Sequence, residues 1–295
     1  MAGGGAHRSP LLLAVALTAG AAFIVNLEAA IVKLVGAAVP LAMIVLFRSA
    51  AQLVWVAPRL VRRGSGLFRT DHLGLHILRG VLSLISWSAY YFSFRQLPMA
   101  TATVLSFTAV MWTTALAGPF LGEVVRWRRW SATLAGFAGV LLVVRPGVLP
   151  VSLATIAAVG SALCGAGITL VTKRLAATES TPTIMLYIGL VTTTGALPGA
   201  IVEWPSLSAG LWLALLVMGG LGVCGMFMWI TGLRMADASL LAPVTYIRLV
   251  FAVATGALLF GELPDGWTLG GSALIVASTL YITQREAQLR RDGRR

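Results

Sequence analysis

The sequence contains little charge for its length. Only 11% of its 295 residues are charged, whereas 58% are hydrophobic. A typical soluble domain carries about 25% charged residues, and a soluble fold of this size could not hide so much apolar surface, because much of any folded surface faces water. The composition therefore argues against an ordinary soluble protein and indicates a chain that lies largely in a lipid bilayer.

Cysteine and catalytic motifs are also scarce. Cys164 and Cys224 both lie inside apolar runs, so they form neither a disulfide framework nor a metal-binding spacing and are predicted to be small packing residues. The sequence lacks HExxH, GxSxG, a P-loop and any pair of carboxylates within one apolar run. It therefore predicts no enzyme, no metal, no cofactor and no ATP-driven transport by this chain.

Acidic residues are outnumbered by basic ones, at 10 against 22, for a net charge of +12. Nucleic-acid binding would require a basic face that carries polar or aromatic readers. Here the basic residues lie mostly between apolar runs, which is typical of the loops of a membrane protein. No nucleic-acid partner is predicted.

Ten apolar runs approach or reach the length needed to cross a bilayer, whose core of about 30 Å takes about 20 helical residues. They do not alternate in polarity and are too long for the strands of a membrane barrel. The predicted fold class is an all-α integral membrane protein with ten transmembrane helices. The runs fall at about 10–34, 39–60, 74–95, 99–121, 130–145, 151–172, 183–202, 208–232, 238–260 and 267–283.

The first run has two interpretations. It follows His7 and Arg8 and resembles a signal peptide with a cleavage region at 19–22. An uncleaved first span is favoured, because apolar character continues to Val35 and because the repeat described below needs this helix.

Loop charge predicts the orientation. With the N-terminus in the cytoplasm, sixteen of the 22 basic residues fall on the inner side, two on the outer side and four within spans. This bias follows the positive-inside rule and predicts a multi-pass protein of the bacterial inner membrane with both termini cytoplasmic. The four basic residues within spans are Lys33, Arg48, Arg79 and Arg248.

The chain aligns with itself at a shift of 139. Five spans per copy is an odd number, so the second copy must insert upside down, which gives two inverted repeats at 1–147 and 148–295, the second ending in a basic cytoplasmic tail. Inverted repeats are typical of transporters, with the site near the midplane between the copies. The matched residues are Arg95 with Arg234, Ser106 with Thr245, and Gly122-Glu123 with Gly261-Glu262.

A specific set of residues is distributed over both copies. It comprises Arg95 to Ala100, Gly122-Glu123, Arg128 to Trp130, Gly136, Gly139, Arg145 to Gly147, Arg234 to Ala238, Pro243 and Gly261-Glu262. With these residues the sequence resembles the drug/metabolite transporter superfamily, EamA type, over essentially its whole length. The resemblance implies ten helices, cytoplasmic termini and alternating access. A proline common in the fourth helix of that family is absent, so a bend there lacks its usual cause; Thr108, Ala109 and Val110 stand in its place.

Charges inside spans are costly and usually face a cavity or a partner. Glu28, with Asn26 nearby, is predicted either to bind a cationic group or take up a coupling proton, or to pair structurally with Lys33 or Arg48. Arg48 and Arg248 are each predicted to anchor a carboxylate or phosphate or to sit in a buried salt bridge, Arg248 with Glu28. Arg79 is predicted to snorkel to the cytoplasmic interface.

Aromatic side chains form the second set of candidates. Trp87, Tyr90 and Tyr91 cluster in the third span, where Trp87 and Tyr91 are four residues apart and share a helical face. They could line a cavity that stacks a flat or cationic substrate, or simply pack between helices. Trp112, Trp229 and Tyr246 complete the set; at the repeat shift, Tyr90 falls on Trp229. Glu123 and Glu262, which repeat at helix ends, are predicted to fix loops.

These features predict a secondary transporter for a small polar, zwitterionic or amphipathic metabolite, coupled to protons or to an exchanged solute. The predicted partners are the small-molecule substrate and the lipid bilayer, with the protein a monomer or a homodimer. An intramembrane enzyme or a receptor that does not transport is the alternative. The predicted substrate-binding residues are Asn26, Glu28, Arg48, Trp87, Tyr90, Tyr91, Trp112, Trp229, Tyr246 and Arg248, with Glu28 also the coupling residue.

Overall fold

The computed structural model of the chain is helical wherever it shows regular secondary structure in the residues that it describes. Predicted features at Glu123, at Tyr246 and at the boundary between the repeats, 147 and 148, lie outside these residues. The described residues are 8–121, 131, 134–135, 138–139, 141–143, 145, 151–235, 241, 244–245, 247–274 and 276–277.

Helical structure occurs within each of the ten predicted runs. Five of the described helices are long and apolar enough to cross a membrane. Helical residues also occur between 131 and 143 and at 266–274, and short 3₁₀ helices at Gly36–Ala38 and Gly64–Phe68. The α-helices are α1 Arg8–Val35, α2 Leu41–Arg63, α3 Leu73–Gln96, α4 Met99–Ser106, α5 Thr108–Leu121, α6 Leu153–Thr178, α7 Thr181–Val202, α8 Ala209–Met235 and α9 Ile247–Phe260.

The outward surface of the bundle is apolar. Val54 is 72% exposed, and Val250 and Leu216 are similarly open. Exposed apolar side chains on so many helix faces would be an aggregation hazard in water, whereas lipid solvates them. Composition and surface together therefore make the chain a multi-pass membrane protein.

Serine side chains cap the N-termini of two helices. Ser152 accepts a hydrogen bond from the backbone N–H of Thr155 at 3.2 Å, and Ser180 accepts one from that of Thr183 at 3.2 Å. Each serine oxygen satisfies a donor that the first helical turn leaves without a partner. These caps fix where α6 and α7 begin.

The span predicted at 99–121 is interrupted although it contains no proline at the break. α4 ends at Ser106 and α5 begins at Thr108. The Ser106 hydroxyl donates to the Thr103 carbonyl at 2.6 Å, and the Thr108 hydroxyl donates to the Leu105 carbonyl at 2.7 Å. Side-chain bonds of this kind compete with the helical ladder and bend helices, so hydroxyl groups supply the interruption here.

In the second repeat, the helix type changes at the position that matches this interruption. Residues 244–245 are 3₁₀-helical and α9 begins at Ile247, which aligns with Thr108 at the repeat shift. Both copies therefore begin a new α-helix at the same point of the repeat.

Helices of the two halves interleave. α1 packs against α8 and α9, α2 packs against α7 and α8, and α3 packs against α6 and α7. Side chains that point inward from α1, α2 and α3 consequently meet helices of the second half.

Polar contacts join loops at one end of the bundle. The Lys33 ammonium pairs with the Glu262 carboxylate and donates to the Leu97 carbonyl at 2.8 Å, and Glu262 accepts from the Met99 N–H at 2.9 Å. Glu262 therefore fixes the loop that precedes α4, which confirms its predicted structural role. All these residues lie at segments predicted on the outer side.

Different contacts join the opposite end. The Glu179 carboxylate accepts from the Thr70 hydroxyl at 2.5 Å, its backbone carbonyl accepts from Arg234, and the Tyr187 hydroxyl donates to the Phe68 carbonyl at 2.9 Å. These residues belong to segments predicted on the cytoplasmic side. The two sets of contacts thus group the loops as the charge distribution does.

Candidate functional site

A buried ion pair lies between α1 and α2. The Arg48 Nε donates to Glu28 Oε1 at 2.8 Å, and Arg48 Nη2 lies 3.4 Å from Glu28 Oε2. Glu28 is 2% exposed and Arg48 is 5% exposed. Among the structural partners predicted for Glu28, Arg48 is confirmed, whereas Lys33 pairs with Glu262 instead.

Two aromatic residues of α3 enclose this pair. The Arg48 guanidinium lies over the Trp87 ring, with its carbon 3.6 Å from the ring centroid. The Tyr91 hydroxyl reaches Glu28 Oε1 at 3.5 Å. The predicted common face of Trp87 and Tyr91 is confirmed, since the two side chains contact opposite members of one ion pair.

Helix α8 closes the pair from the second half. A Cβ atom built at Gly222 would lie 2.9 Å from both Arg48 Cγ and Glu28 Oε1. Real Cβ atoms essentially never approach other heavy atoms so closely, so glycine is what lets α8 pack directly on the ion pair. The pair therefore lies where the two halves meet.

Arg248 forms a second positive centre. Its guanidinium donates to the Ser106 hydroxyl at the break between α4 and α5. It also lies 5.4 Å from the Phe107 ring centroid and 5.9 Å from that of Tyr90. The predicted alternative, a salt bridge between Arg248 and Glu28, is wrong, because the ion-pair partner of Glu28 in the described structure is Arg48.

Two tyrosines connect the centres. The Tyr90 and Tyr91 rings make an edge contact with centroids 5.6 Å apart. Tyr90 faces Arg248, while Tyr91 faces Glu28. The predicted residues of α1, α2, α3 and α9 thus form one continuous group, which we call the arginine site: Glu28, Arg48, Trp87, Tyr90, Tyr91 and Arg248.

The arginine site contains polar atoms that no described protein group satisfies. Arg48 Nη1, Arg248 Nε and the Tyr90 hydroxyl are buried without a hydrogen-bond partner, and so are both amide atoms of Gln52, one turn along α2 from Arg48. Buried polar groups are normally paired. The two arginine groups can only donate, so a ligand that satisfies them must present acceptor atoms.

The remaining predicted residues lie elsewhere or contact other groups. Asn26 donates to the Thr255 hydroxyl at 3.3 Å and ties α1 to α9. Trp229 packs against an apolar cluster that includes Ile188 and Met226. Trp112 has a buried indole N–H without an acceptor among the described residues. Tyr246 lies outside the described residues.

The prediction for the position of Arg79 is wrong. It does not snorkel to the interface, because it is only 1% exposed and points into the bundle. Its Nε donates to the Thr172 hydroxyl of α6 at 2.6 Å. Proximity to the start of α3 suggested an interfacial position, but the rotation of the helix directs the side chain toward α6 and α8. Gln52 is a further polar residue that the sequence analysis did not select.

The described residues contain no group of three or more His, Cys, Asp or Glu side chains that could hold a metal ion. The site is instead an assembly of guanidinium groups, one carboxylate and aromatic faces. Such an assembly can bind a solute through charge, hydrogen bonds and stacking.

Comparison with known proteins places the chain in a family. A sequence model described as the EamA-like transporter family matches residues 12–145 and 152–284. A solved crystal structure is similar to this chain with a TM-score of 0.65 at 18% sequence identity, covering 96% of this chain and 99% of that one. At this identity the structural likeness concerns the fold alone.

Curated relatives are named as metabolite transporters. An S-adenosylmethionine uptake transporter of Rickettsia bellii is 29% identical, with 81% of this chain and 82% of that protein covered. A riboflavin transporter of Vibrio cholerae is 30% identical, with 94% of each covered. A pseudopaline exporter of Pseudomonas aeruginosa is 28% identical, with 94% and 96% covered. These relatives are transporters rather than enzymes, which confirms the predicted absence of enzymatic activity, and the chain belongs to the EamA-like transporter family.

Proposed function

We propose that the chain is a secondary transporter that moves a small polar, zwitterionic or amphipathic metabolite across the bacterial inner membrane by alternating access. The observation that carries the proposal is the buried Glu28–Arg48 pair, which lies where helices of both halves meet and leaves Arg48 Nη1 without a partner. Charges at such a position in a membrane protein usually serve a substrate or ion pathway.

The architecture that we propose has ten spans in two inverted repeats, 1–147 and 148–295, with both termini in the cytoplasm. The positively charged loops support this orientation. The polar contacts at the two ends support the same division of the loops between the two sides of the membrane, because each joins segments predicted on one side. Two opposed halves could then rock about the arginine site.

This topology predicts opposite accessibility for two exposed loop positions. In a variant with both native cysteines replaced by alanine, Leu263→Cys should react with a membrane-impermeant maleimide added to spheroplasts, whereas Asp71→Cys should react only after lysis. Both positions are exposed in the structure, so burial does not explain a difference. Labelling of Asp71→Cys in intact spheroplasts would contradict the orientation.

The charge balance of the site supports a substrate that carries an anionic group. In the arginine site, the two guanidinium groups of Arg48 and Arg248 outnumber the one carboxylate, Glu28. A carboxylate or phosphate can accept two parallel bonds from a guanidinium. Trp87 and the two tyrosines add aromatic faces on which a flat ring could stack. S-adenosylmethionine and riboflavin, named for two relatives, are reasonable first probes: the first carries a carboxylate, and the second is uncharged but offers carbonyl acceptors and a flat ring.

Coupling would act through Glu28. Protonation of this carboxylate would remove its attraction for Arg48 and free the guanidinium to bind the substrate. An exchanged anionic solute that displaced Glu28 from Arg48 would achieve the same coupling without a proton. In either case the ion pair closes again when the substrate leaves.

Flux into proteoliposomes that contain the purified protein tests the proposal. We expect uptake of labelled riboflavin or S-adenosylmethionine, with a KM raised about 10-fold or more in Arg248→Ala, since a hydrogen bond to a charged group contributes about 1.5–3 kcal/mol. The matched control is Arg59→Ala, which removes an exposed arginine near the end of α2, away from the arginine site. An unchanged KM in Arg248→Ala would exclude the anchor role.

A further inference from the structure

Arg79 is a buried cation that the proposed transport cycle does not use. Its Nε donates to Thr172 Oγ1 at 2.6 Å, its Nη1 donates to the Ser83 hydroxyl, and its Nη2 lies 3.8 Å from Met226 Sδ. None of these partners is charged, and the described residues provide no ion pair to this guanidinium. The positive charge therefore lacks a counterion in that part of the chain.

The neutral hydrogen-bond partners of Arg79 do not act as a counterion. The Thr172 hydroxyl donates to the Ile168 carbonyl at 2.6 Å, and the Ser83 hydroxyl donates to the Arg79 carbonyl at 2.7 Å. Both hydroxyls are thus fixed as acceptors for Arg79 but remain uncharged. A guanidinium carries five N–H groups, and three contacts, one of them to a weak sulfur acceptor, leave the remainder for another ligand.

The surroundings favour a negative ligand. A second buried guanidinium, that of Arg48, also lies in the interior of the bundle. The Glu179 carboxylate is held at the end of the bundle by the Thr70 hydroxyl at 2.5 Å, with His76 Nε2 at 3.8 Å. An uncompensated charge in the interior of a membrane protein is strongly unfavourable, and a bound anion would remove that cost.

The position of Arg79 suits a ligand that passes between the halves. Arg79 lies on α3 of the first half, and its partners Thr172 and Met226 lie on α6 and α8 of the second half. It is six residues from the start of α3, or about 9 Å at the helical rise. Ser83, Ser86 and Tyr90 follow at spacings of 4, 3 and 4, so one helical face leads from Arg79 to the arginine site.

We propose that Arg79 binds an anion, a carboxylate or a phosphate group, in the half of the bundle nearer Glu179 and apart from the arginine site, with its guanidinium oriented by the Ser83 and Thr172 hydroxyls. This anion site lies between the two halves, because the guanidinium is on α3 and the Thr172 hydroxyl that orients it is on α6. Binding therefore stabilises the arrangement in which α3, α6 and α8 are packed together.

The test measures the unfolding temperature of the purified protein in detergent, titrated separately with chloride, acetate and phosphate. At saturating acetate or phosphate we expect a rise of about 3 °C in wild type beyond that in Arg79→Gln, since an anion that binds only the folded state stabilises it. Arg59→Gln removes an exposed arginine and corrects for binding of ions to the surface, so it should behave like wild type.

Arg79→Lys is a second variant that tests the proposal even if Arg79→Gln does not fold. It keeps the charge but loses the fork that binds two oxygens, and we expect its apparent affinity for acetate and phosphate to fall at least threefold. A response to acetate assigns the site to a solute carboxylate, and a response to phosphate alone assigns it to phosphate. If all three anions shift wild type, Arg79→Lys and Arg79→Gln equally, the proposal is wrong, and transport through the arginine site is unaffected by that result.

Discussion

Replacement of Gly222 by valine should abolish transport while leaving the protein in the membrane. A Cβ atom at this position would lie 2.9 Å from both Arg48 Cγ and Glu28 Oε1. Valine adds two methyl groups beyond the Cβ, so α8 must move away or the ion pair must separate. Overpacking of this kind typically costs about 1–3 kcal/mol, and here the displaced groups are the proposed substrate-binding charges.

Gly220 on the same helix supplies a matched control. No atom lies within 4 Å of a Cβ built there, and the residue is exposed on the bundle surface. Gly220→Val makes the same change in side chain and helix propensity without touching Glu28 or Arg48. We expect flux near wild type in Gly220→Val and at least a 20-fold lower rate in Gly222→Val at equal protein per liposome. Equal rates in the two variants would show that the ion pair does not need this close approach.

The sequence predicts well what depends on local spacing. Trp87 and Tyr91 are four residues apart, and helical periodicity alone places them on one face, which the structure confirms at the Glu28–Arg48 pair. The apolar runs likewise predict where helices occur, because a span must satisfy its own backbone bonds in lipid.

Partner choice could not be predicted in the same way. The sequence offered Glu28 three candidate partners, Lys33, Arg48 and Arg248, and their spacing along the chain does not rank them. The structure pairs Glu28 with Arg48 because α1 and α2 run antiparallel through the interior, whereas Lys33, near the end of α1, reaches Glu262 in a loop of the other half. That loop is 229 residues away in sequence.

The break at Phe107 and the burial of Arg79 are two features that the sequence pattern did not predict. The family pattern attributes a bend to proline, whereas hydroxyl groups of Ser106 and Thr108 interrupt the helix here. Hydropathy locates Arg79 along its helix but not around it, and only the packing of α6 and α8 shows that the side chain points inward.

The internal repeat explains the scaffold but not the chemistry. At the repeat shift Glu28 corresponds to Gly167, where a Cβ would lie 3.0 Å from Leu82, so the second copy has apolar helix packing where the first has a carboxylate. Arg248 corresponds to Ala109 in the first copy. At the repeat shift, neither Glu28 nor Arg248 has a charged counterpart, so the proposed substrate site is asymmetric although the fold is duplicated.

Glu28→Gln should remove the dependence of transport on pH. Glutamine keeps the size of the side chain and can still accept from Arg48 through its amide oxygen, but it neither carries a charge nor takes up a proton. If protonation of Glu28 frees Arg48 for the substrate, the wild-type rate rises when the pH on the side of uptake falls, and the variant transports at one rate at every external pH tested.

The measurement is initial uptake into proteoliposomes with the external pH varied and the internal pH fixed. Glu203→Gln removes an exposed carboxylate at the end of α7 and should keep the wild-type profile. Loss of the Glu28 carboxylate leaves the Arg48 guanidinium without a counterion in the interior, which destabilises the fold. The unfolding temperature of Glu28→Gln is therefore measured as well, to establish that the variant used for transport is folded. A folded variant that retains the wild-type pH profile would exclude Glu28 as the proton carrier and leave solute exchange at Arg48 as the coupling step.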